Sequence, residues 1–546
     1  MLFLWGSNAR ETHPIFFHHV LKAIHKGAKL ISVDPRFTSS AQWAHQYLRI
    51  NSGTDIALAN GIAREIIHAG LANDAFVARA TSGFEAFRDW VETFTLEYVE
   101  AETGIPAASV REAAHTFARA DRAMICWTLG ITEHHNAVDN VLSLINLCLL
   151  TGHVGRYGSG VNPLRGQNNV QGGGDMGAIP NRFVGFQDIE DPEVCAKFER
   201  AWGVPQKSAC GMTMTQMFDA MSKGTFHALF VIGENPVQSD ADQNHVVHLL
   251  SGLDHLVVFD IFLTKTAELA DVVFPSASGW CESDGTVTNS ERRVQRVRAA
   301  LDPPGDARQE TWVISEIARR LGSPWGDPSA EEIWDEIREL AGDMFGGMSY
   351  DRLEKEKGLQ WPCPDESHPG TMFLHERLWA EPVQGPRAPF SLTVHELPVE
   401  QPDEEYPFIL TTGRRLSDYN TGVQSGGFDS PLRRSESVDM HVDDARRLGV
   451  ESGELVRVSS RRGSLVAPVR VDATLRPGLV FMTFHFQDKI KVNVLTINAT
   501  DPAAGTAEFK ACAVRVEPLE VGAELERDAH AGAQKLDAQP AGTPGD

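Results

Sequence analysis

LFLWGSNARETHPIFFHHVLKAIHKGAKLISVDPR, Leu2 to Arg36, is the stretch whose reading decides the fold class. Leu2–Trp5 reads as a core strand, Pro14 to Lys26 as an amphipathic helix stopped by Gly27, and Lys29–Val33 as a second strand. From Trp5 to Asp34 the spacing is close to the roughly 30 residues of a βαβ unit. Asp34-Pro35-Arg36 stands at the tip of the second strand, where an acid often holds a ribose hydroxyl. The G-x-G-x-x-G pattern is absent, so spacing alone leaves two readings open: a nucleotide site around Gly6-Ser7-Asn8, or a plain doubly wound half with a capping Asp.

Outward from this unit, helices are expected around Thr54–Ala69, Ser82–Phe94 and Pro106–Ala120. A strand over Ala123–Leu129 runs into Gly130-Ile131-Thr132, and a helix from Ala137 to Leu150 stops before Gly152. Then comes VNPLRGQNNVQGGGDMG, Val161 to Gly177. A run so rich in Gly, Asn and Gln buries little apolar surface, but its backbone can approach a polyanion closely. Its arginine, Arg165, is a planar fork suited to a carboxylate or phosphate. A surface linker is the plain alternative; a position at the end of a strand–helix unit favours a ligand loop.

The pattern then repeats. Phe226–Ile232 reads as a buried parallel strand ending in Gly233-Glu234-Asn235-Pro236. Leu256–Phe259 ends in Asp260 with Thr264-Lys265-Thr266 beyond it, and Val272–Phe274 ends in Pro275-Ser276. These polar strand ends suggest a second nucleotide-sized cleft, although α/β strand ends are often polar without a ligand. Arg292, Arg293, Arg296 and Arg298 form a basic patch, read as a solvated face or as contacts within the chain. From about Trp325 to Pro407 the proline-rich sequence reads as a connector. After the strand Phe408–Thr412, the Gly413-Arg414-Arg415 turn and a short helix over Val442–Gly449, alternation at Val456, Val458, Leu465, Val469 and Val471 indicates a small closed β-barrel. The polar residues from about Val521 read as a disordered tail.

The bulk numbers exclude several classes of partner. Lys plus Arg total 50 against 74 Asp plus Glu, a net charge of −24, which argues against nucleic acid and anionic membrane surfaces. The seven cysteines are scattered without a C-x-x-C pair, and the histidines lack metal-ligand spacing, so no residue is assigned as a metal ligand. No apolar run approaches about 18 residues, so no membrane span is expected, and the chain reads as cytoplasmic.

RGQNNVQGGGDMG, together with ADVVFP (Ala270–Pro275), HVDDARRLGV (His441–Val450) and CAVRVEP (Cys512–Pro518), resembles the molybdopterin oxidoreductases, and within them the large subunit of molybdenum-dependent formate dehydrogenases. The similarity runs from about residue 2 to residue 518. It implies an α/β fold: two doubly wound Rossmann-like domains over 1–167 and 168–330, a connector over 331–404, and a six-stranded double-psi β-barrel over 405–520 that binds the molybdopterin dinucleotide, followed by the tail 521–546.

The implied activity is formate oxidation to carbon dioxide at a molybdenum or tungsten bis(molybdopterin guanine dinucleotide) centre. Electrons would pass to partner subunits carrying iron–sulfur clusters and a flavin/NAD site, and on to NAD. Another molybdopterin oxidoreductase, such as a nitrate reductase, and a non-catalytic cofactor-binding module are the alternatives. Residue by residue, Arg165 matches the arginine that orients formate, and Gln167 matches a residue at the pterin. Gly6, Ser7, Asn8, Asp34, Pro35 and Arg36 match turns around one guanosine, with Gly130 on the same side. Gly233, Glu234, Asn235, Asp260 and Thr264 match those around the other pterin dinucleotide. Thr412, Gly413, Arg414, Tyr419, Asn493, Glu508 and Lys510 would close over the cofactor from the barrel, and Asp418 stands near where some relatives carry a histidine. Complete members of the family carry a 4Fe-4S segment and the Cys or selenocysteine metal ligand ahead of the strand at Leu2. The chain is therefore expected to be a shortened reading of a longer gene, ahead of the alternatives that a separate polypeptide supplies that segment or that this version is inactive.

Overall fold

A computed structural model describes residues 1–422 and 435–519, so the tail expected at 521–546 lies outside the described residues. The Leu2–Arg36 unit seeds the first domain. Strands β1 (Leu2–Trp5), β2 (Leu30–Val33), β3 (Gln46–Leu48), β4 (Met124–Trp127) and β5 (Gly160–Pro163) form a five-stranded sheet in the order β3-β2-β1-β4-β5. All its pairings are parallel. Every residue of β1 and β2 is buried, because alternate side chains enter two separate cores. Phe3 and Trp5 pack with Ile62 and Phe117, whereas Leu2 and Leu4 pack with Phe17 and Val20. Helices thus cover both faces, as a parallel sheet requires.

The second sheet holds β6 (Ala228–Ile232), β7 (His255–Asp260) and β8 (Val272–Pro275), all parallel, in the order β8-β7-β6. One face packs on Met221, Val246 and Leu250, and the other on Val313 of the helix Glu310–Arg320. Only part of the expected burial of Phe226–Ile232 is seen: Phe230 is 52% and Ile232 48% exposed. β6 is the edge strand, and a continuous apolar run looks the same in sequence whether its strand is central or at an edge.

An antiparallel unit follows, with β9 (Gly285–Thr288), β10 (Arg293–Val297) and β11 (Leu359–Gln360). Helices Ala330–Leu340 and Tyr350–Lys355 pack Trp334 and Leu353 with Val294, Phe345 and Cys363. The basic patch is consumed within the chain. Arg292 donates to the carbonyls of Thr371 (3.1 Å) and Met372 (3.2 Å), Arg296 lies over the Tyr350 ring, and Arg298 pairs with Glu354.

Residues 388–400 then form a strap. Ala388–Pro389 pairs with Thr81–Ser82, the Ser391 N–H donates to Asn146 Oδ1 (3.0 Å), and the Val394 N–H donates to Asp139 Oδ2 (2.9 Å). At its far end Glu400 receives a two-pronged Arg462 (2.7 and 2.9 Å) and the Ala513 N–H (3.0 Å). Beyond it β12 (Phe408–Thr412), β13 (Val438–Met440), β14 (Leu455–Ser459), β15 (Ser464–Val471), β16 (Leu479–Met482) and β17 (Cys512–Pro518) close a mixed six-stranded barrel in the order β12-β16-β13-β15-β14-β17. The alternation read from the sequence fills it: Val456, Val458, Leu465 and Val469 are inside, and Val471 packs against them half-buried. Among the described residues no helix is long and apolar enough to cross a membrane.

Candidate functional site

In a parallel sheet every strand ends on the same edge, so the turns after β1, β2, β4 and β5 converge. Against that edge stands the end of β12. Together they enclose a cavity of about 230 Å³ lined by Gly6, Asn8, Asp34–Arg36, Gly130, Arg165–Gln167, Thr412–Arg414 and Lys510. Twelve residues that the sequence marked from six separate stretches therefore face one space.

Two glycines make the convergence possible. Gly6 has φ +55°, and a Cβ on Gly130 would stand 2.6 Å from the Gly6 Cα. The Gly6 carbonyl accepts from the Gly130 N–H (3.2 Å) and from Thr128 Oγ1 (2.7 Å). Nearby, Asn8 Oδ1 accepts from the Ser40 hydroxyl (3.0 Å) and N–H (3.2 Å), which fixes the turn. Burial pushes the Asp34 carboxyl up to about 6 against the pull of Arg36, and its Oδ1 accepts the Arg36 N–H at 2.9 Å. The Arg36 guanidinium stacks 3.6 Å from the centre of the Phe481 ring, so a barrel aromatic orients a first-domain cation.

From the barrel, the Arg414 guanidinium lies 4.4 Å over the Tyr419 ring, whose hydroxyl donates to the Gly166 carbonyl at 3.4 Å. Lys510 Nζ pairs with Glu133 (2.6 Å) and donates to the Thr412 carbonyl (3.1 Å). Arg36, Arg165, Arg414 and Lys510 thus gather in one cavity of a protein whose net charge is −24. The buried hydroxyls of Ser7 and Ser52 make no hydrogen bond among the described residues. Unused buried donors beside a cationic cleft suit a phosphate-bearing ligand.

Gln167 also borders a second cavity, of about 1190 Å³, on which Gly233 and Glu234 lie. Behind them the marked side chains serve the strand-end turns. Asn235 Oδ1 accepts from the Thr266 N–H (3.1 Å) and hydroxyl (2.8 Å), Asp260 Oδ1 from the Phe262 N–H (3.1 Å), and Thr264 Oγ1 from the Ala267 N–H (3.2 Å). Asn493 donates to the Gln238 (2.9 Å) and Ser239 (3.1 Å) carbonyls and so ties the barrel to the second domain. Glu508 is fully buried between His134 (3.3 Å) and His135 (3.0 Å). Asp418 is buried beside the same turn as Tyr419.

Sequence reading passed over two groups here. His13 lines the first cavity and its Nε2 donates to the Arg165 carbonyl at 2.6 Å, with Thr12 Oγ1 2.8 Å from Nδ1. Burial lowers its basicity, against the pull of the Arg165 carbonyl. Its only sequence signal is its place before Pro14 at a helix start. Asp55 lines the same cavity and accepts from Trp5 Nε1 (2.7 Å); it stands in the first turn of the helix Asp55–His68, where an acid is common without any ligand.

This arrangement of two parallel-sheet domains and a closed barrel around a cationic cleft coincides with two family models: molybdopterin oxidoreductase over residues 1–320 and Molydopterin dinucleotide binding domain over 408–513. The chain belongs to the molybdopterin oxidoreductase family, a family of redox enzymes, and carries its molybdopterin-binding domains.

Among its relatives, the F420-dependent formate dehydrogenase 2 subunit alpha of Methanococcus maripaludis is 42% identical, with 95% of this chain and 76% of that protein covered. Formate dehydrogenase H of Escherichia coli is 37% identical (95% and 73%), and the assimilatory nitrate reductase catalytic subunit of Bacillus subtilis 34% (95% and 74%). The solved structure of acetylene hydratase from Pelobacter acetylenicus superposes with a TM-score of 0.71 at 21% identity, covering 95% of this chain and 78% of that one, which speaks to the fold alone. One sequence expectation is overturned: three similar formate dehydrogenase alpha subunits are named as F420-dependent, so the assignment of NAD as the electron acceptor does not stand.

Proposed function

We propose that this chain holds a molybdenum bis(molybdopterin guanine dinucleotide) group across its two cavities and oxidises formate to carbon dioxide, releasing one proton and two electrons. The observation that carries the reading is Arg165: it lines the cavity between the sheet ends and the barrel, and among the described residues its only side-chain hydrogen bond is from Nε to Gln171. Its two Nη groups remain for a carboxylate, a charge-assisted fork worth about 1.5–3 kcal/mol. Arg36, Arg414, Lys510 and the Ser7 hydroxyl would hold the phosphates and pterin on one side, with the Gly233-Glu234 turn on the other and Gln167 between them. When bound, the metal–pterin group supplies the two-electron acceptor. The protein's own part is to fix the formate carboxylate against Arg165 and keep the opposing wall closed with the barrel turn. Electrons would leave through iron–sulfur centres supplied from outside these residues to a partner subunit, with F420 the acceptor to test first, given the names of the relatives.

Formate-dependent dye reduction by the holoenzyme tests this reading. Arg165→Ala is expected to lower kcat/KM for formate at least about tenfold, the equivalent of ~1.4 kcal/mol. Near-normal kcat/KM in that variant, or nitrate reduction faster than formate oxidation, would overturn it.

A further inference from the structure

The helix Val170–Asp175, inside the glycine-rich loop, carries a buried acid to which formate binding assigns no task. Asp175 is fully buried. Its Oδ1 accepts from Gln171 Nε2 at 2.8 Å, one helical turn back, and its Oδ2 accepts from Trp361 Nε1 at 2.8 Å, 186 residues away. Gln171 in turn presents Oε1 to Arg165 Nε at 3.3 Å. We propose that Asp175 is a positioning residue for the formate anchor, acting through the Gln171 amide. The inference rests on Arg165 as that anchor.

The argument is one of donors and acceptors. A carboxylate only accepts, and the Trp361 indole only donates. An ionised Asp175 between them therefore forces Gln171 to point its NH2 at Asp175 and its carbonyl at Arg165. That occupies the Nε edge of the guanidinium and leaves the Nη edge presented to the cavity. If Asp175 gains a proton, or becomes Asn, one oxygen still serves Trp361 and the other position becomes a donor. Gln171 must then turn its carbonyl to that donor and its NH2 to Arg165, placing donor against donor. The anchor loses its hold without any change in the cavity lining.

Asp175 is poised for such a change. Burial pushes its carboxyl up to about 6, while Gln171, Trp361 and the cations facing it, Arg165 and Arg292, pull the other way. The carboxylate state that orients Arg165 is present above that value and is lost as pH falls through it. Formate KM is thus expected to rise on the acid side of about pH 6.

The test uses the holoenzyme and three variants. Asp175→Asn is expected to raise formate KM about tenfold with kcat within about twofold, and to abolish the acid-side rise in KM. Adding Gln171→Glu to Asp175→Asn restores an acceptor to Arg165 and is expected to return KM to near the wild-type value, an outcome that a purely structural role for Asp175 does not give. A readout independent of turnover is the infrared carboxylic C=O absorption of the cofactor-free protein, taken as wild type minus Asp175→Asn so that the Asp34 carboxyl cancels: a difference band is expected at low pH and is lost near pH 6. Asp175→Asn with wild-type KM and an intact acid limb overturns the proposal, as does failure of the double variant to recover KM. Arg165→Ala separates the two readings: if it leaves formate KM unchanged, the anchor itself is wrong, whereas a large Arg165 effect beside a silent Asp175→Asn refutes only the relay.

Discussion

Replacing Glu508 by Gln should loosen the barrel from the first domain. The Glu508 carboxylate is fully buried; Oε1 meets His134 (3.3 Å) and His135 (3.0 Å), and Oε2 accepts the Val399 N–H (3.1 Å). Burial alone would push this carboxyl up, but the two imidazoles hold it down at about 2 against an ordinary 4.5. At ~1.4 kcal/mol per pKa unit, that depression is worth about 3 kcal/mol of folded-state stability. Because the folded value is depressed, the contribution is complete above pH 4.5 and disappears as pH falls through about 2. His135 is raised, chiefly by its bond to Glu508, so its share is complete below 6.5 and fades as pH rises through the raised value. The clasp is therefore strongest between about 4.5 and 6.5. Urea unfolding of wild type and Glu508→Gln at pH 5.5 should differ by about 3 kcal/mol, shrinking to ~1.4 kcal/mol at pH 3. A difference below about 1 kcal/mol at pH 5.5, or one that does not vary with pH, would refute the reasoning.

Gly130→Ala should lower thermal stability by about 1–3 kcal/mol, since its Cβ has no room against Gly6; a differential scanning measurement with unchanged Tm would contradict this. Trp5→Phe removes the indole donor from buried Asp55 and should cost about 1–3 kcal/mol in urea unfolding, more than the change in ring size alone. Arg414→Ala should leave the fold intact by circular dichroism but reduce the molybdenum retained per chain, read by mass spectrometry of the purified protein.

The first domain was legible because its strands carry their own signal: Leu2–Trp5 is a continuous apolar run, Leu30–Val33 is apolar but for Ser32, a helix pattern lies between them, and both strands are buried on two faces. The barrel was legible from alternation, and Val456, Val458, Leu465 and Val469 do point inward. The exposure of Phe230 and Ile232 was not, because an edge position depends on how many strands pair beyond it, which no local pattern encodes. Neither was the helical content of 330–355, where the prolines on either side outweigh a capping box at Ser329 and Glu332 that is plain in hindsight. At the site, the glycine turns and Arg165 stood out by composition. His13 and Asp175 did not, since each matters only through a partner far along the chain, the Arg165 carbonyl for one and the Trp361 indole for the other.

The strap of residues 388–400 bears on how a large ligand could enter. It is stitched to the first domain at Thr81, Asn146 and Asp139, and at its far end is clamped to the barrel by Arg462 and the Ala513 N–H. A barrel moored in this way cannot swing about a hinge like a door. Admitting a dinucleotide-sized group to the space between sheet ends and barrel means unfastening those stitches together, a cooperative local unfolding rather than a rotation. A ligand seated there rests on both bodies, and every contact it makes to each raises the cost of that unfastening, so insertion and release should both be slow and the filled protein should hold its cargo kinetically.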